Sequence, residues 1–226
     1  MKTPPRNQPG VLRRILIFVV LSYAGLAALG KAAIWIGMGI ARILRDDTTE
    51  DDLRLPAIKH LRRVDDQLWA GAQPHMQQYR ELSQLGIRVV IDLRTGNRTD
   101  PRPDDPEFLR SLGLEYEWLP VTDGHAPDMH TTDRFVEIVK NADGIVFMHC
   151  GGGVGRTTSL TAAYSASRNQ NSALLDQMAI GPMSLEQVWF IAAISRNYSS
   201  PRPALIRWLS RYVVDAPRVL WGRATR

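Results

Sequence analysis

The stretch His149-Cys150-Gly151-Gly152-Gly153-Val154-Gly155-Arg156-Thr157 decides the fold of this chain. It places the single cysteine of the sequence six residues before an arginine, with four glycines between them. Residues 144–148, in front of it, are typical of a short buried strand, and residues 157–168, behind it, favour a helix. The stretch therefore predicts a loop that joins the end of a strand to the N-terminus of a helix.

Such a loop is suited to hold an anion. Glycines allow successive backbone N–H groups to point at the anion, and the N-terminus of the helix adds its dipole. The same positive potential favours a nucleophilic thiolate at Cys150, and Arg156 can bind two phosphate oxygens. A lone cysteine can also be a small buried residue and a glycine run a plain turn, but their combination predicts a phosphate-handling active site.

The pattern His-Cys-x-x-Gly-x-Gly-Arg-Thr resembles the signature of the cysteine-dependent protein tyrosine and dual-specificity phosphatases, and the similarity extends from about Val64 to about Gly181. This resemblance implies a phosphocysteine intermediate on Cys150, with neither metal nor cofactor. It implies that Thr157 stabilises the thiolate as leaving group and that His149 supports the site. The phosphate would be bound by the loop residues Gly151, Gly152, Gly153, Val154, Gly155 and Arg156.

The mechanism needs a general acid, because an alkoxide or phenoxide leaves poorly unless it is protonated. Residues 120–130 form a loop in which Asp123 is our candidate, since Asp123-x-x-x-Pro127 matches the arrangement of related phosphatases. Asp128 is the competing candidate, although its position before Thr131 and Thr132 also suits a helix cap. His125 is predicted to touch the substrate or to lie on the loop surface.

The pattern of apolar residues and glycines predicts an α/β fold, a dual-specificity-phosphatase-like central sheet flanked by helices. The predicted strands are 87–93, 114–119 and 145–149, and the predicted helices are 76–85, 105–112 and 131–141. Residues 157–198 are predicted to be almost entirely helical, with a break at Gly181-Pro182. The region 55–200 is long enough for one catalytic domain.

The N-terminal segment predicts a membrane helix or a signal peptide. Residues 15–30 are uncharged, and the apolar character resumes after Lys31 and continues to Ile40. Snorkelling by Lys31 would let the helix reach the length needed to span a bilayer. A cleaved signal peptide is the alternative, because basic residues precede the apolar run and Ala28 and Gly30 suit a cleavage site.

Charge divides the chain into parts. The whole chain has a net charge of +5, but residues 1–45 carry seven Lys/Arg and no acid, and residues 201–226 carry six Arg and one Asp, which leaves −7 between them. The acidic middle argues against a nucleic-acid partner, whereas the basic ends suit an anionic membrane surface. We therefore predict a basic anchor or signal segment (1–45), an acidic linker (46–54), the catalytic domain (55–200) and a basic helical extension (201–226).

Two further predictions concern location. The run 203–214 mixes aromatic residues and arginines, so it is either a helix docked on its own domain with arginines facing water or a helix that lies on a bilayer. Basic residues before the apolar run and acidic residues after it favour an extracytoplasmic catalytic domain, anchored in the membrane or, after signal cleavage, secreted or periplasmic.

Three functions stay open. The first is hydrolysis of phosphoproteins, with phosphotyrosine or mixed specificity, and the second is hydrolysis of inositol polyphosphates. The second is suggested because Arg156-Thr157-Thr158 and residues 177–181 resemble the bacterial cysteine phytases, with charge supplied by Arg94, Arg98 and Arg102. The third is a membrane-tethered phosphate-binding pseudophosphatase. The partner is thus a phosphorylated protein or a small phosphate ester.

Overall fold

The computed structural model describes residues 9–44, 56–96, 106–170, 174–197 and 203–218. Its helices are α1 (Pro9–Leu44), α2 (Met76–Gln84), α3 (Pro106–Ser111), α4 (Met129–Asn141), α5 (Gly155–Ser167), α6 (Leu174–Ile180), α7 (Leu185–Asn197) and α8 (Ala204–Leu209). A π-helical turn, Ser210–Val214, continues α8. The strands are β1 (Arg62–Arg63), β2 (Leu68–Ala72), β3 (Ile87–Asp92), β4 (Glu115–Trp118) and β5 (Ile145–Cys150).

The strands form one five-stranded sheet in the order β1-β2-β5-β3-β4. β2, β5, β3 and β4 are parallel, and β1 is antiparallel to β2 at the edge. β5 lies in the centre with β2 and β3 beside it. The loop that follows β5 therefore opens at the carboxyl edge of the sheet, where α/β proteins place their ligands.

Both faces of the sheet are covered by helices. One face packs on α4 and α5 through a cluster that includes Phe135, Leu160 and Tyr164. The other face packs on α2 and α3 through Tyr79, Leu82 and Leu109. The predicted α/β architecture is confirmed, because helices on both faces bury a mostly parallel sheet.

The predicted elements occur close to their predicted positions. β3 ends one residue earlier than predicted, β4 is 115–118 rather than 114–119, and α4 and α5 each begin two residues earlier. Gly86 follows α2 with a φ of +92°, and Gly113 follows α3 with a φ of +72°. A glycine with positive φ commonly ends a helix in this way. The predicted break at Gly181-Pro182 lies between α6 and α7.

The sequence pattern missed β2, a strand that is buried along its whole length. Its residues Ala70-Gly71-Ala72 are small and do not alternate with polar ones, so β propensity and periodicity are both weak. Gly71 has little room for a side chain, because a Cβ there would lie 3.2 Å from the Ile58 side chain and 3.4 Å from the Leu61 Cα. A Cβ on Gly153 of the cysteine loop would lie 2.4 Å from the Ala72 nitrogen, so the loop and β2 are in close backbone contact.

α1 is, within the described ranges, the helix long and apolar enough to cross a membrane, with a mean hydropathy of 2.0 over its most apolar window. Its first half is exposed, but Ile34, Met38 and Ala41 are buried in a cluster with α6 and α7. Arg42 donates to the Ala179 carbonyl at 3.1 Å. The division of the chain at residue 45 stays a prediction. α1 lies before this boundary, but it packs on α6 and α7 of the predicted catalytic domain.

The C-terminal extension is docked on the protein. Val213 and Val214 are buried, and the Arg211 guanidinium forms two 3.0 Å hydrogen bonds with the Glu186 carboxylate. Lys31 of α1 forms an ion pair with Asp215. The predicted acidic linker 46–54 and the arginines Arg98 and Arg102 lie outside the described residues.

Candidate active site

Cys150 is the last residue of β5 and is almost completely buried. In register, Cys150 lies beside Ala72 of β2, and His149 lies beside Asp92 of β3. The neighbouring parallel strands therefore fix the backbone of the cysteine on both sides. The thiol lies at the carboxyl edge of the sheet, directly before the turn that leads into α5.

The loop 151–154 is tightly constrained. Gly153 has φ of +69°, which favours glycine, and has no room for a side chain against β2. At Gly155 a Cβ would lie 2.2 Å from the Gln187 side-chain oxygen. Two loop carbonyls have partners in the 60–62 segment, because His60 Nδ1 lies 2.7 Å from the Gly152 oxygen and Arg62 donates to the Gly153 oxygen at 3.1 Å. The loop is thus held in one conformation from several directions.

Arg156 is in the first turn of α5 and is nearly buried. Its Nη1 donates to the Leu93 carbonyl at 3.3 Å and to the Val121 carbonyl at 3.2 Å, and its Nη2 lies 3.5 Å from Asp123 Oδ1. The carbonyls orient the guanidinium between the loop and the segments that follow β3 and β4. A rigid, planar cation in this position is suited to bidentate binding of a phosphate.

The two threonines after Arg156 close the first turn of α5. Thr157 Oγ1 donates to the Val154 carbonyl at 3.0 Å, and Thr158 Oγ1 donates to the same carbonyl at 2.6 Å. The Thr157 hydroxyl therefore donates to the backbone of the cysteine loop, and its stabilisation of the Cys150 thiolate stays a prediction.

His149 is completely buried beneath the loop. Its Nε2 lies 3.2 Å from the Tyr79 hydroxyl and its Nδ1 lies 3.3 Å from the Cys150 carbonyl. Burial lowers the pKa of His149 to about 4, although the nearby Asp92 carboxylate opposes the shift. The imidazole is therefore neutral near pH 7 and acts as a hydrogen-bonding support.

Asp123 lies on the loop after β4, with 42% of its side chain exposed. Its carboxylate forms a bidentate ion pair with Arg218, with Nε to Oδ2 at 2.6 Å and Nη2 to Oδ1 at 2.7 Å. Burial alone would raise the pKa of Asp123, but the hydrogen bonds and charge of Arg218, together with the charge of Arg156, hold it below its ordinary value. The carboxylate is thus close to Arg156, and its lowered pKa favours the ionised form.

Asp128 has a structural role. It is the N-cap of α4, and its Oδ1 accepts a 2.7 Å hydrogen bond from the Thr131 backbone nitrogen. This is the alternative role that the sequence indicates for Asp128, since the cap satisfies an otherwise unpaired donor of the helix. Its side chain is occupied there, whereas Asp123 contacts Arg156.

His125 lies in the same loop and is half-buried. Its backbone nitrogen donates to the Thr122 carbonyl at 3.0 Å, and its carbonyl accepts a 3.1 Å hydrogen bond from the Gln187 side chain. Gln187 is buried and packs against Gly155. It therefore connects the loop 120–130, which we call the acid loop, to the cysteine loop 151–154.

Arg94 is only 1% exposed. Its Nε and Nη2 donate to the two Asp92 carboxylate oxygens at 3.0 and 3.3 Å, and its carbonyl accepts from Trp118 Nε1 at 2.7 Å. Arg94 is therefore a buried arginine and not a surface one. Its predicted contact with substrate stays a prediction, and two of its donor atoms are committed to Asp92.

Sequence reasoning missed two residues that contact the site, Arg218 and Gln187. Arg218 reaches Asp123 across 95 positions, and Gln187 reaches His125 across 62. Both lie in helical segments whose composition is unremarkable. A contact at such a separation leaves no local pattern, so only the folded chain reveals it.

The geometry agrees with what a comparison of families finds. Residues 57–191 match the model of the family described as DSP-PTPase phosphatase fused to NAD+ kinase. The chain belongs to this family. It is therefore a member of the cysteine-dependent phosphatase superfamily, and the resemblance of its cysteine loop to the dual-specificity phosphatases is confirmed.

The curated relatives of this chain include dual-specificity phosphatases. The chain is 29% identical to Dual specificity protein phosphatase Mpk3 of Drosophila melanogaster over 102 residues, which are 43% of this chain and 23% of that protein. It is 34% identical to Dual specificity protein phosphatase CDC14C of Homo sapiens over 67 residues, 30% of this chain and 15% of that protein. The chain thus spans less than a quarter of the length of either relative.

Solved structures share the fold. A DUF442 protein from Shewanella putrefaciens CN-32 aligns with a TM-score of 0.56 at 23% identity, over 66% of this chain and 99% of that one. Tk-PTP in its active form aligns with a TM-score of 0.51 at 18% identity, over 61% of this chain and 97% of that one. More than a third of this chain lies outside each alignment, at 34% and 39% of its length.

Proposed function

We propose that this protein hydrolyses phosphate monoesters through a phosphocysteine intermediate on Cys150, with phosphotyrosine or mixed phosphoprotein specificity. One observation carries the proposal. The single cysteine ends β5 beneath the N-terminus of α5, and the Arg156 guanidinium is positioned beside the same loop within 3.5 Å of Asp123. A nucleophile, a phosphate-binding cation and a carboxyl group are therefore brought together by three different segments.

In the first step the Cys150 thiolate attacks phosphorus, and the bond to the ester oxygen breaks. Loop amides and Arg156 bind the non-bridging oxygens, whose charge they stabilise best in the transition state. Asp123 transfers its proton to the leaving oxygen. In the second step water attacks the phosphocysteine, Asp123 takes a proton from that water, and inorganic phosphate and the thiolate are released.

The assignment of Asp123 rather than Asp128 as the acid is supported by their contacts. Asp128 is occupied in capping α4, whereas Asp123 lies 3.5 Å from Arg156. For its first proton transfer Asp123 must be protonated, and its ion pair with Arg218 favours the ionised form. The acid therefore works only after this pair has loosened.

Charge around the site supports a phosphoprotein substrate over an inositol polyphosphate. The Arg94 guanidinium is buried against Asp92 and offers little charge at the surface. Arg218 is bound to Asp123. A ligand with many phosphates needs several uncommitted cations around the pocket, because nearby charges act most strongly.

We also propose that α1 anchors the protein in a membrane, with the catalytic domain on the extracytoplasmic side. The exposed apolar residues of its first half and its length support an anchor, since about 20 residues span a bilayer. A signal sequence has the same apolar character. The apolar run has basic residues on both sides, namely Arg13, Arg14, Lys31 and Arg42. The proposed orientation of the protein in the membrane therefore rests on the order of the basic and acidic segments of the chain.

Turnover of p-nitrophenyl phosphate by the purified full-length chain in detergent tests the activity. We expect hydrolysis in the presence of EDTA, and its complete loss in Cys150→Ser, which should still bind vanadate. Arg156→Ala should lose both turnover and vanadate binding. Arg134→Ala is the control, since Arg134 is exposed and pairs only at the surface with Glu117 at 3.3 Å. Full activity of Cys150→Ser, or a strict need for a divalent metal, would contradict the mechanism.

The substrate class requires a separate comparison. We expect a higher kcat/KM for phosphotyrosine peptides than for inositol hexakisphosphate. A preference for inositol hexakisphosphate that is lost in Arg94→Gln or Arg98→Gln would establish the phytase-like alternative. Binding of both ligands without turnover of either would establish the pseudophosphatase.

A further inference from the structure

An exposed apolar surface lies at the C-terminal end of the described chain. Leu205 and Trp208 of α8 are 64% and 53% exposed, and Tyr212 of the π-helical turn is 43% exposed. We call these three residues the C-terminal apolar face. Exposed Trp and Tyr beside arginines are typical of segments at a membrane interface, where the ring is buried in lipid and its polar end is wet.

Two polar residues of this segment are buried, although apolar residues beside them are exposed. Ser210 and Asp215 are 1% and 0% exposed, while the neighbouring aromatic residues point outward. Inside the protein, the Asp215 carboxylate accepts from Ser210 Oγ at 2.7 Å and from the Leu185 backbone nitrogen at 3.0 Å, and it also pairs with Lys31. The polar groups are thus satisfied within the protein, and the outer face is left apolar.

The π-helical turn of this segment lies alongside α1 at the level of its apolar run. The Tyr23 hydroxyl donates to the Tyr212 carbonyl. Nearly two turns further along α1, a Cβ on Gly30 would lie 2.6 Å from Val214, so the π-helical turn is in close contact there too. The turn therefore follows α1 between Tyr23 and Lys31, which at 1.5 Å per residue is a distance of about 12 Å.

This placement has a consequence for the depth of the turn in a bilayer. The uncharged run of α1 is bounded by Arg14 and Lys31 and is about 24 Å long, less than the hydrocarbon thickness of about 30 Å. A bilayer that spans α1 must therefore cover the run to its end at Gly30. Tyr23 is near the middle of the run, so any bilayer that covers α1 also reaches the residues packed beside Tyr23.

We infer that α8 and the π-helical turn are a second membrane-contacting element, whose C-terminal apolar face is covered by lipid. The inference rests on the proposed anchoring by α1. Lipid is favoured over a protein partner because the π-helical turn packs on the apolar run of α1 and because Arg207 of α8 carries a charge that suits anionic headgroups. Arg13 and Arg14 offer the same chemistry on the other side of the apolar run.

Because the chain has a single native cysteine, its replacement allows one new cysteine to be labelled at a chosen position. In full-length Cys150→Ser, one new cysteine is introduced at a time by Trp208→Cys, Leu21→Cys or Met76→Cys and labelled with an NBD fluorophore. The protein is reconstituted into phosphatidylethanolamine–phosphatidylglycerol vesicles that contain doxyl-labelled lipid. Leu21 reports on the α1 anchor, and Met76, an exposed apolar residue at the start of α2, is the matched control.

We expect lipid quenching at position 208 within a factor of about two of that at position 21, and several-fold above that at position 76. Quenching at 21 without quenching at 208 would leave the anchor standing and overturn the inference. Quenching at neither would overturn both. Protection of 208 from doxyl lipid and from aqueous iodide alike would also overturn it, because a second copy of the chain would then cover the face. Phosphatase activity does not enter any of these outcomes.

Discussion

The two halves of the active site are held in different ways. The cysteine loop is fixed by the strands on either side of it and by glycines that leave no room for a side chain, and its arginine is nearly buried. The acid loop after β4 instead presents an aspartate whose side chain is 42% exposed and whose bidentate partner is Arg218, 95 residues away. The proposed nucleophile is therefore preorganised, while the proposed proton donor depends on a distant segment.

This difference indicates that the acid loop, rather than the cysteine loop, is the part of the site that other segments of the protein can regulate. Preorganised dipoles and cations need no rearrangement during the reaction, which suits the loop that binds phosphate. A general acid held in an ion pair must first lose that partner. Because the Arg218 backbone nitrogen donates to the Asp215 carbonyl at 3.0 Å and Asp215 pairs with Lys31, the contact connects the acid loop to α1.

The largest expected effect is a difference in kcat between variants of the two aspartates of the acid loop, Asp123 and Asp128. Asp123→Asn should lower kcat for p-nitrophenyl phosphate by about 10²- to 10⁴-fold, because proton transfer to the leaving group is lost. Asp128→Asn should change kcat by far less, since asparagine also caps helices. A substrate with a strongly acidic leaving phenol needs no acid and should be much less affected by Asp123→Asn. The reverse ranking of the two variants would mean that Asp128 is the acid.

A pair of glycines tests how tightly the cysteine loop is held. Gly153→Ala forces a Cβ to within 2.4 Å of the Ala72 nitrogen at a φ of +69°, and it should lower the free energy of unfolding by on the order of 3 kcal/mol. Gly152→Ala meets no atom within 4 Å and should change it by less than about 0.5 kcal/mol. Urea unfolding of both variants in detergent measures the difference. Equal effects would show that the loop rearranges freely.

His149 makes the cysteine half of the site sensitive to acid. Because burial lowers its pKa to about 4 from 6.5, the unfolded chain binds a proton between these values that the folded chain does not. The contribution of this group to stability is therefore complete above pH 6.5 and falls by on the order of 3 kcal/mol as the pH drops to 4. We expect His149→Gln to lack this part of the pH dependence when unfolding free energies are measured from pH 7 to 4. An unchanged slope would show that His149 is protonated in the folded protein.

The smallest expected effect concerns the clamp on the acid. Arg218→Gln should raise the pKa of Asp123, because it removes the hydrogen bonds and charge that lower it, and the basic limb of the pH–kcat profile should move to higher pH. Above the optimum, kcat should rise by a few-fold. The same change made in Asp123→Asn should have no effect on the profile, and Arg134→Gln should leave it where it is. A loss of activity at all pH values would show instead that Arg218 positions the acid or the substrate.

Much of the fold was predictable, because local features carry it. β3 and β5 are β-branched or apolar runs bounded by glycine or aspartate, and α5 follows directly from the glycine loop. β2 was not predictable. Its Ala-Gly-Ala run has low strand propensity, and Gly71 has little room for a side chain because Ile58 and Leu61 lie against it, which is a tertiary requirement.

The sequence by itself determined that the proposed nucleophile and the proposed phosphate-binding arginine lie together. A cysteine, its glycines and its arginine lie within seven consecutive positions, so the geometry of one strand–loop–helix turn brings them together. Only the tertiary structure decided what surrounds them. It buried Arg94 against Asp92, packed α1 onto the domain and brought Arg218 to Asp123. These contacts join segments far apart in the chain, and their formation depends on how all the elements pack rather than on any local pattern of residues.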